Sequence, residues 1–227
     1  MTEVFAHRGS AQLARENTVA AFVAARALGA DGIELDVHLT ADGVLAVHHD
    51  PTLPGRGRIS ELTSDELPDW LPSLAQALDA SRPLQVNIEL KSEPENWTAN
   101  DDLLAAKVAE LAGSREEVDR LVVSSFSLQA IDAVRAAAPK VATALLIGPA
   151  DFALEALATA HDRGHLGLHP FYLAVDEPLV SAAKALLMAI RPWTVDDPGF
   201  IVALAAMGVD AVITNDVAAA LKALGRP

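Results

Sequence analysis

The sequence predicts an α/β protein, a (β/α)8 barrel forming one domain over residues 1–227. Three observations lead there. Eight short β-branched or apolar runs alternate with eight alanine- and leucine-rich stretches. The 227 residues suit one closed barrel of this type. Charged residues stand where several of the apolar runs end, the position at which such barrels gather their loops. An open doubly wound sheet would give the same alternation, but eight units favour closure. Hydrophobic residues make up 51% of the chain, enough for a sizeable core, and much of that is alanine, which favours outer helices.

The first strand is expected at Val4–His7. Its helix, Thr18–Leu28, should be capped by Asn17 or Thr18 and end at Gly29. The second strand, Gly32–His38, is followed by Ala41-Asp42-Gly43 and then Val44–His48, and Asp-Gly between apolar runs signals a β-hairpin. Pro51–Pro72, with four prolines and two glycines, reads as a short irregular excursion over the barrel mouth. Helix Leu74–Ala80 closes that unit. Strand Leu84–Leu90 precedes helix Asp102–Ala112, with Asp101 or Asp102 as cap and Gly113 at its end. Strands Leu121–Phe126, Val141–Ile147, Leu166–His169, Met188–Val195 and Ala211–Thr214 follow. They alternate with helices Leu128–Ala137, Phe152–Asp162, Pro178–Leu187, Gly199–Met207 and Val217–Leu224. Pro139 and Gly208 mark two of the helix ends.

The formal net charge of −14 opposes nucleic-acid binding, which needs excess Lys and Arg to neutralise phosphates. It also opposes strong attraction to an anionic membrane surface. A phosphate site here must be locally basic. There are no cysteines, which excludes disulfides and thiolate metal sites. No apolar run reaches the roughly 18 residues of a membrane span, and the N-terminus lacks the basic and apolar regions of a signal peptide. A cytoplasmic protein without stable membrane insertion is expected.

The chemistry lies at the strand ends. Side chains two apart on a strand share a face, so Glu34 points with Asp36 and Glu89 with Lys91. Three carboxylates offer hard oxygen donors that suit Mg²⁺ or Ca²⁺. The alternative is a buried ion-pair network in which Arg8 and Lys91 offset the acids. His7 is open between core packing and catalysis, and Lys91 between pairing with Glu89 and binding phosphate. His161 and His165 lie four apart, but Gly164 interrupts them, and surface positions are the simpler reading. Glu16 is either an orienting partner of Arg8 or ordinary first-turn helix charge. Phe126 and Trp193 either wall a pocket or pack the core.

The string His7-Arg8-Gly9, Glu16-Asn17-Thr18, Glu34-Leu35-Asp36-Val37, Thr40-Ala41-Asp42-Gly43, Val47-His48-His49-Asp50 and Glu89-Leu90-Lys91 resembles the glycerophosphodiester phosphodiesterase family in order and spacing. The resemblance continues through Ser124-Ser125-Phe126, Trp193-Thr194-Val195-Asp196 and Val209 to Asp216, and so spans essentially the whole chain. It implies a metal-dependent TIM barrel that cleaves glycerophosphodiesters to sn-glycerol 3-phosphate and an alcohol. It implies that Glu34, Asp36 and Glu89 bind one divalent cation, Mg²⁺ or Ca²⁺. It further implies that His7 and His49 form the acid–base pair, and that Arg8 and Lys91 hold phosphate oxygens. His48, on the opposite strand face, is expected to be structural, and Asn17, Thr18 and Asp42-Gly43 to be capping and turn residues. The nucleophile is either water or the free glycerol hydroxyl beside the phosphate. The segment Asp50–Arg58 departs from the family pattern, with Pro54 in place of an acid, as does His169 near where asparagine is common. Alternative functions are a lysophospholipase D-like enzyme acting on lysophospholipids, which needs an apolar surface for an acyl chain, and a non-catalytic glycerophosphodiester-binding protein. A metal-free scaffold held by buried ion pairs is a further alternative.

Overall fold

A computed structural model describes residues 1–92, 97–149 and 151–226. The chain begins with β1 (Glu3–Ala6), α1 (Val19–Ala27) and β2 (Gly32–Leu39). The short strands β3 (Leu45–Val47), β4 (Thr52–Leu53) and β5 (Gly57–Arg58) follow, then α2 (Leu74–Ala80), β6 (Gln85–Leu90) and α3 (Ala99–Gly113). Four further strand–helix pairs follow, before a last one. These are β7 (Leu121–Ser125) with α4 (Leu128–Ala137), β8 (Ala142–Ile147) with α5 (Ala153–Asp162), β9 (Gly167–Pro170) with α6 (Glu177–Ala185), and β10 (Ala189–Ile190) with α7 (Pro198–Met207). The last strand is β11 (Ala211–Thr214) and the last helix α8 (Val217–Ala223).

Eight strands run parallel in the order β10-β9-β8-β7-β6-β2-β1-β11. The ends of that row meet: Asp210 N–H donates to Ile190 C=O at 3.0 Å, Ile213 N–H to Pro192 C=O at 2.9 Å and Val195 N–H to Ile213 C=O at 2.9 Å. The barrel is thereby joined on all sides, as the eightfold count predicts. Outward-facing strand residues such as Ile33, Leu35, Ile88 and Val123 are buried against the helices in the main core. Inward-facing positions are in part polar.

The seventh barrel strand is shorter than the expected Met188–Val195. Only Ala189 and Ile190 pair in register with β9. Pro192 lacks the N–H that a ladder needs, and beyond it the contact is a single bridge between Phe171 and Trp193. Helix α3 starts earlier than Asp102 because Thr98 is its cap. Asp101 returns the bond as the fourth residue of a capping box, accepting from Thr98 N–H at 2.8 Å and Oγ1–H at 2.7 Å.

The hairpin after β2 forms as expected, with Val37 opposite Val47. Residues Pro51–Pro72 are more ordered than an irregular excursion. They carry the β4–β5 pair, and Leu53, Ile59 and Leu71 join Ala46 in a small core of their own. Of the two candidate caps on α1, Thr18 serves, accepting from Ala21 N–H. Asn17 turns elsewhere.

Candidate active site

The register of β2 on β6 places Asp36 beside Glu89 and Glu34 beside Asn87. The three carboxylates converge at the C-terminal end of the barrel, each offering an oxygen within 4.8 Å of the others. All three are buried, at 3%, 1% and 9% exposure for Glu34, Asp36 and Glu89. Burial, Asp36 and Glu89 push the Glu34 carboxyl well above its ordinary range. Burial also raises Glu89 despite Lys91. Asp36 goes the other way: burial would raise it, but Lys91, Arg8 and the Asn17 amide together hold it down. Three buried acids at this spacing call for positive charge.

Part of that charge comes from the chain. Lys91 Nζ lies 2.8 Å from Asp36 Oδ1 and also contacts Glu89 Oε1. Arg8 Nε lies 3.3 Å from Asp36 Oδ2, and its Nη1 donates to Glu16 Oε1 at 3.1 Å. Arg8 adopts a positive φ of 55°, and this turns its backbone N–H onto Glu34 Oε2 at 3.0 Å. Glu34 Oε1 remains, buried and with no hydrogen-bond partner. An oxygen-only donor set with one orphaned carboxylate oxygen fits a hard divalent cation.

The two histidines flank this centre. His7 Nδ1 is 2.7 Å from Asn215 Oδ1. Asn215 is itself oriented by donating through Nδ2 to Asp196 Oδ2 at 2.7 Å and through its backbone N–H to Asp196 Oδ1 at 2.8 Å. A carboxylate can only accept, so the amide oxygen faces the imidazole, and His7 Nδ1 carries the hydrogen. Nε2 then presents its lone pair on the Glu34 side, 3.9 Å from Oε2. Burial lowers the His7 pKa, with Arg8 adding to the fall and Asn215 opposing it. His49 Nδ1 is 2.8 Å from Asp50 Oδ1, and by the same argument its Nε2 is the free nitrogen. His38, held neutral by burial with its pKa lowered to about 4, donates from Nε2 to the His49 carbonyl at 3.0 Å. His48 points away, its Nδ1 donating to the Asp50 carbonyl at 2.9 Å and its ring 6.0 Å from Trp70.

Two walls frame the mouth. On the His49 side a cavity of about 560 Å³ is lined by His38, His49, Arg58, Lys91 and Ser92 among others. On the far side Phe126, 42% exposed, meets Trp193 edge-on at 5.6 Å, and Phe171 meets Trp193 at 5.8 Å. Trp193 is fixed by donating from Nε1 to the His169 carbonyl at 2.9 Å.

Sequence reasoning alone does not find three supporting residues. Asn17 is not a cap: it adopts φ 56° and donates from Nδ2 to Asp36 Oδ2 at 2.7 Å. Asn215 and Asp196 hold His7. Their signals were the Glu16-Asn17-Thr18 string and the Asn215-Asp216 end of the last strand run. His165 corrects an expectation too. It is buried at 2% exposure, within 3.2 Å of Asp132 and 2.8 Å of Thr143 Oγ1, and packs behind the barrel wall rather than at the surface.

Fold and mouth together define the class: a (β/α)8 barrel with a buried carboxylate cluster and two oriented imidazoles. The sequence pattern of the glycerophosphoryl diester phosphodiesterase family matches residues 7–219. A glycerophosphodiester phosphodiesterase of Caldanaerobacter subterraneus is 33% identical over 95% of this chain and 94% of its own. One from Bacillus altitudinis is 32% identical over 95% of each. Among solved structures, an Oleispira antarctica phosphodiesterase in complex with the product sn-glycerol-3-phosphate superposes with a TM-score of 0.87 at 25% identity, covering 99% of this chain and 97% of that one. A Parabacteroides distasonis glycerophosphodiester phosphodiesterase gives the same TM-score and coverage at 30% identity. The chain belongs to the glycerophosphoryl diester phosphodiesterase family.

Proposed function

We propose that this enzyme hydrolyses glycerophosphodiesters to sn-glycerol 3-phosphate and an alcohol through His7 and His49, with one divalent cation, Mg²⁺ or Ca²⁺, held by Glu34, Asp36 and Glu89. The observation that carries the reading is the pairing of a buried three-carboxylate cluster with two imidazoles whose free nitrogens are both assigned. When bound, the cation would polarise the phosphoryl group and offset its charge. Family membership supports the metal-dependent phosphodiesterase chemistry, and the product bound to the Oleispira antarctica relative supports a small-molecule substrate.

Within the chain, His7 has the neutral, Nδ1-protonated form that a general base requires. It would take the proton from the nucleophile, either water or the neighbouring glycerol hydroxyl. His49, in its doubly protonated form with Nδ1–H on Asp50, would deliver its Nε2 proton to the leaving oxygen, beside a cavity with room for the departing alcohol. Arg8 and Lys91 would turn from carboxylates toward phosphate oxygens and stabilise the charge developing there. Glu16 keeps Arg8 aimed at the mouth.

The test is release of glycerol 3-phosphate from a panel of headgroups with Mg²⁺ or Ca²⁺ supplied. Wild-type protein should turn over at least one glycerophosphodiester. His7→Ala and His49→Ala should each lose about 10²–10⁴-fold in kcat with unchanged melting temperatures. Turnover by both variants at the wild-type rate would remove the acid–base assignment. Tight binding of the diester by wild type without release would favour a binding protein. The aromatic wall of Phe126, Trp193 and Phe171 favours one second reading, acceptance of lysophospholipids with the acyl chain against these rings. Comparison of micellar with soluble substrates separates the two.

A further inference from the structure

The opposite end of the barrel holds a second, smaller cavity with polar groups set among apolar residues such as Leu121, Val122 and Leu166. Its volume is about 120 Å³, and Gln85, Arg120, His169 and Arg191 line it together with small residues such as Ala144 and Gly167. It opens among the N-terminal ends of β6 to β10, away from the carboxylate cluster. Three nitrogens on its walls are buried without a hydrogen-bond partner: Nε of Arg120, Nε of Arg191 and Nδ1 of His169. His169 is only 1% exposed. In the layer above, both side-chain atoms of Asn87 and the Ser124 hydroxyl are also unpartnered.

Arg191 is the anomaly. Its guanidinium donates from Nη2 to Gln85 Oε1 at a long 3.4 Å and lies 5.0 Å from the centre of the Phe5 ring. No carboxylate among the described residues pairs with it. The acids whose charge reaches it are Glu3 and Asp210, and each is engaged elsewhere. Glu3 Oε1 accepts from Gln85 Nε2 at 2.6 Å, and Asp210 Oδ2 accepts from Ile190 N–H at 2.8 Å. Arg120 spends its terminal nitrogens on the Leu78 and Leu84 carbonyls and on Glu117 at 3.4 Å, and its Nε is left buried without a partner. Asp119 stands on the rim. A guanidinium inside a barrel without a direct counter-charge is costly. Buried polar groups are ordinarily satisfied by protein, water or an ion.

We propose that this cavity is a binding site for a small inorganic anion, held between the N–H groups of Arg191, Arg120 and His169, and that the anion completes the floor of the barrel. Burial and Arg191 keep the His169 imidazole neutral; in the proposed site it takes the Nδ1-protonated tautomer and donates from Nδ1 while the two guanidinium groups supply the charge. The small side chains around it leave room for a halide or an orthophosphate. The same His169 holds Trp193 through its carbonyl, so the floor anion steadies one wall of the mouth without entering the reaction.

The test uses the metal-loaded protein in sodium chloride, sodium bromide and sodium gluconate at equal ionic strength, with crystals of the unmodified protein soaked in bromide. The halides should raise Tm above gluconate by about 3–5 °C at ten times the dissociation constant. Bromide should give an anomalous peak within hydrogen-bonding reach of Arg191 Nε and His169 Nδ1. Inorganic phosphate should displace that peak if the site takes either anion. Arg191→Gln should abolish the halide dependence, and Lys91→Met, at the other end of the barrel, should retain it. Water alone at the position in bromide, with equal Tm in the three salts, overturns the proposal. The crystal readout stands even if Arg191→Gln does not fold.

Discussion

Asn215 carries no charge and touches no acid of the carboxylate cluster, yet it decides which nitrogen of His7 is free. Asn215→Ala should lower kcat by about tenfold or more with little change in KM and in melting temperature. Asn215→Asp makes the sign of the effect visible. A carboxylate at this position favours the charged imidazole and raises the His7 pKa. A base that must be neutral then needs a more alkaline medium, so the acidic limb of the pH–rate profile should move to higher pH. An unmoved limb would separate His7 from the titration that limits the rate. The charged members of the site were legible from sequence because a strand puts alternate residues on one face. That periodicity put Glu34 on one face with Asp36 and Glu89 on one face with Lys91; the expectation that both pairs serve one centre came from the family resemblance. Asn17, Asp196 and Asn215 were not legible as site residues, because amides and acids next to helix starts read first as caps. Their contacts arise only when the barrel brings distant segments together.

At the scale of elements, the βα alternation was legible almost throughout, since helices and strands here keep their own apolar periods. What the sequence reading missed are ends. Pro192 shortens the seventh strand, and Thr98 captures the start of α3 ahead of the aspartates. The turn between β1 and α1 is tightly constrained. Gly9 has φ +79°, and an added Cβ would lie 2.8 Å from the backbone carbon of Ala21 in α1. That atom belongs to a helix backbone and cannot give way cheaply. Gly9→Ala should therefore cost about 1–3 kcal/mol in a denaturant titration and should displace the neighbouring His7 and Arg8, lowering activity more than stability. Gly32 is closed in the same way, an added Cβ falling 2.5 Å from the Phe5 ring inside the barrel.

For the whole molecule, two dependences follow from charge. In the proposed reading the three buried acids hold a cation, which would couple its binding to folding. EDTA should lower the melting temperature by about 5–10 °C from a state with divalent ion at a hundred times its dissociation constant. Glu34→Gln should shrink that difference, whereas a metal-free scaffold would show none. The second dependence belongs to Asp31, which clamps the start of the barrel to the end of the chain. It accepts from Val4 N–H at 2.8 Å and pairs with Arg226 at 2.5 and 2.9 Å. Burial alone would raise its pKa, but Arg226 and Val4 outweigh it and the net shift is downward. A group depressed on folding contributes stability above its unfolded pKa, and that contribution is lost as pH falls through the lower folded value. Wild type should thus lose stability relative to Asp31→Asn as pH drops below the ordinary aspartate value of 3.8. Chemical denaturation of both proteins across that range measures it.

The hydrogen bond from His7 to Asn215 joins positions 208 residues apart. A ribosome therefore makes the proposed proton-transfer group 208 residues before its support. Until the final strand has docked against the first, the imidazole has no fixed tautomer. A nascent or C-terminally clipped chain should consequently be silent as a catalyst even while most of its staves are in place.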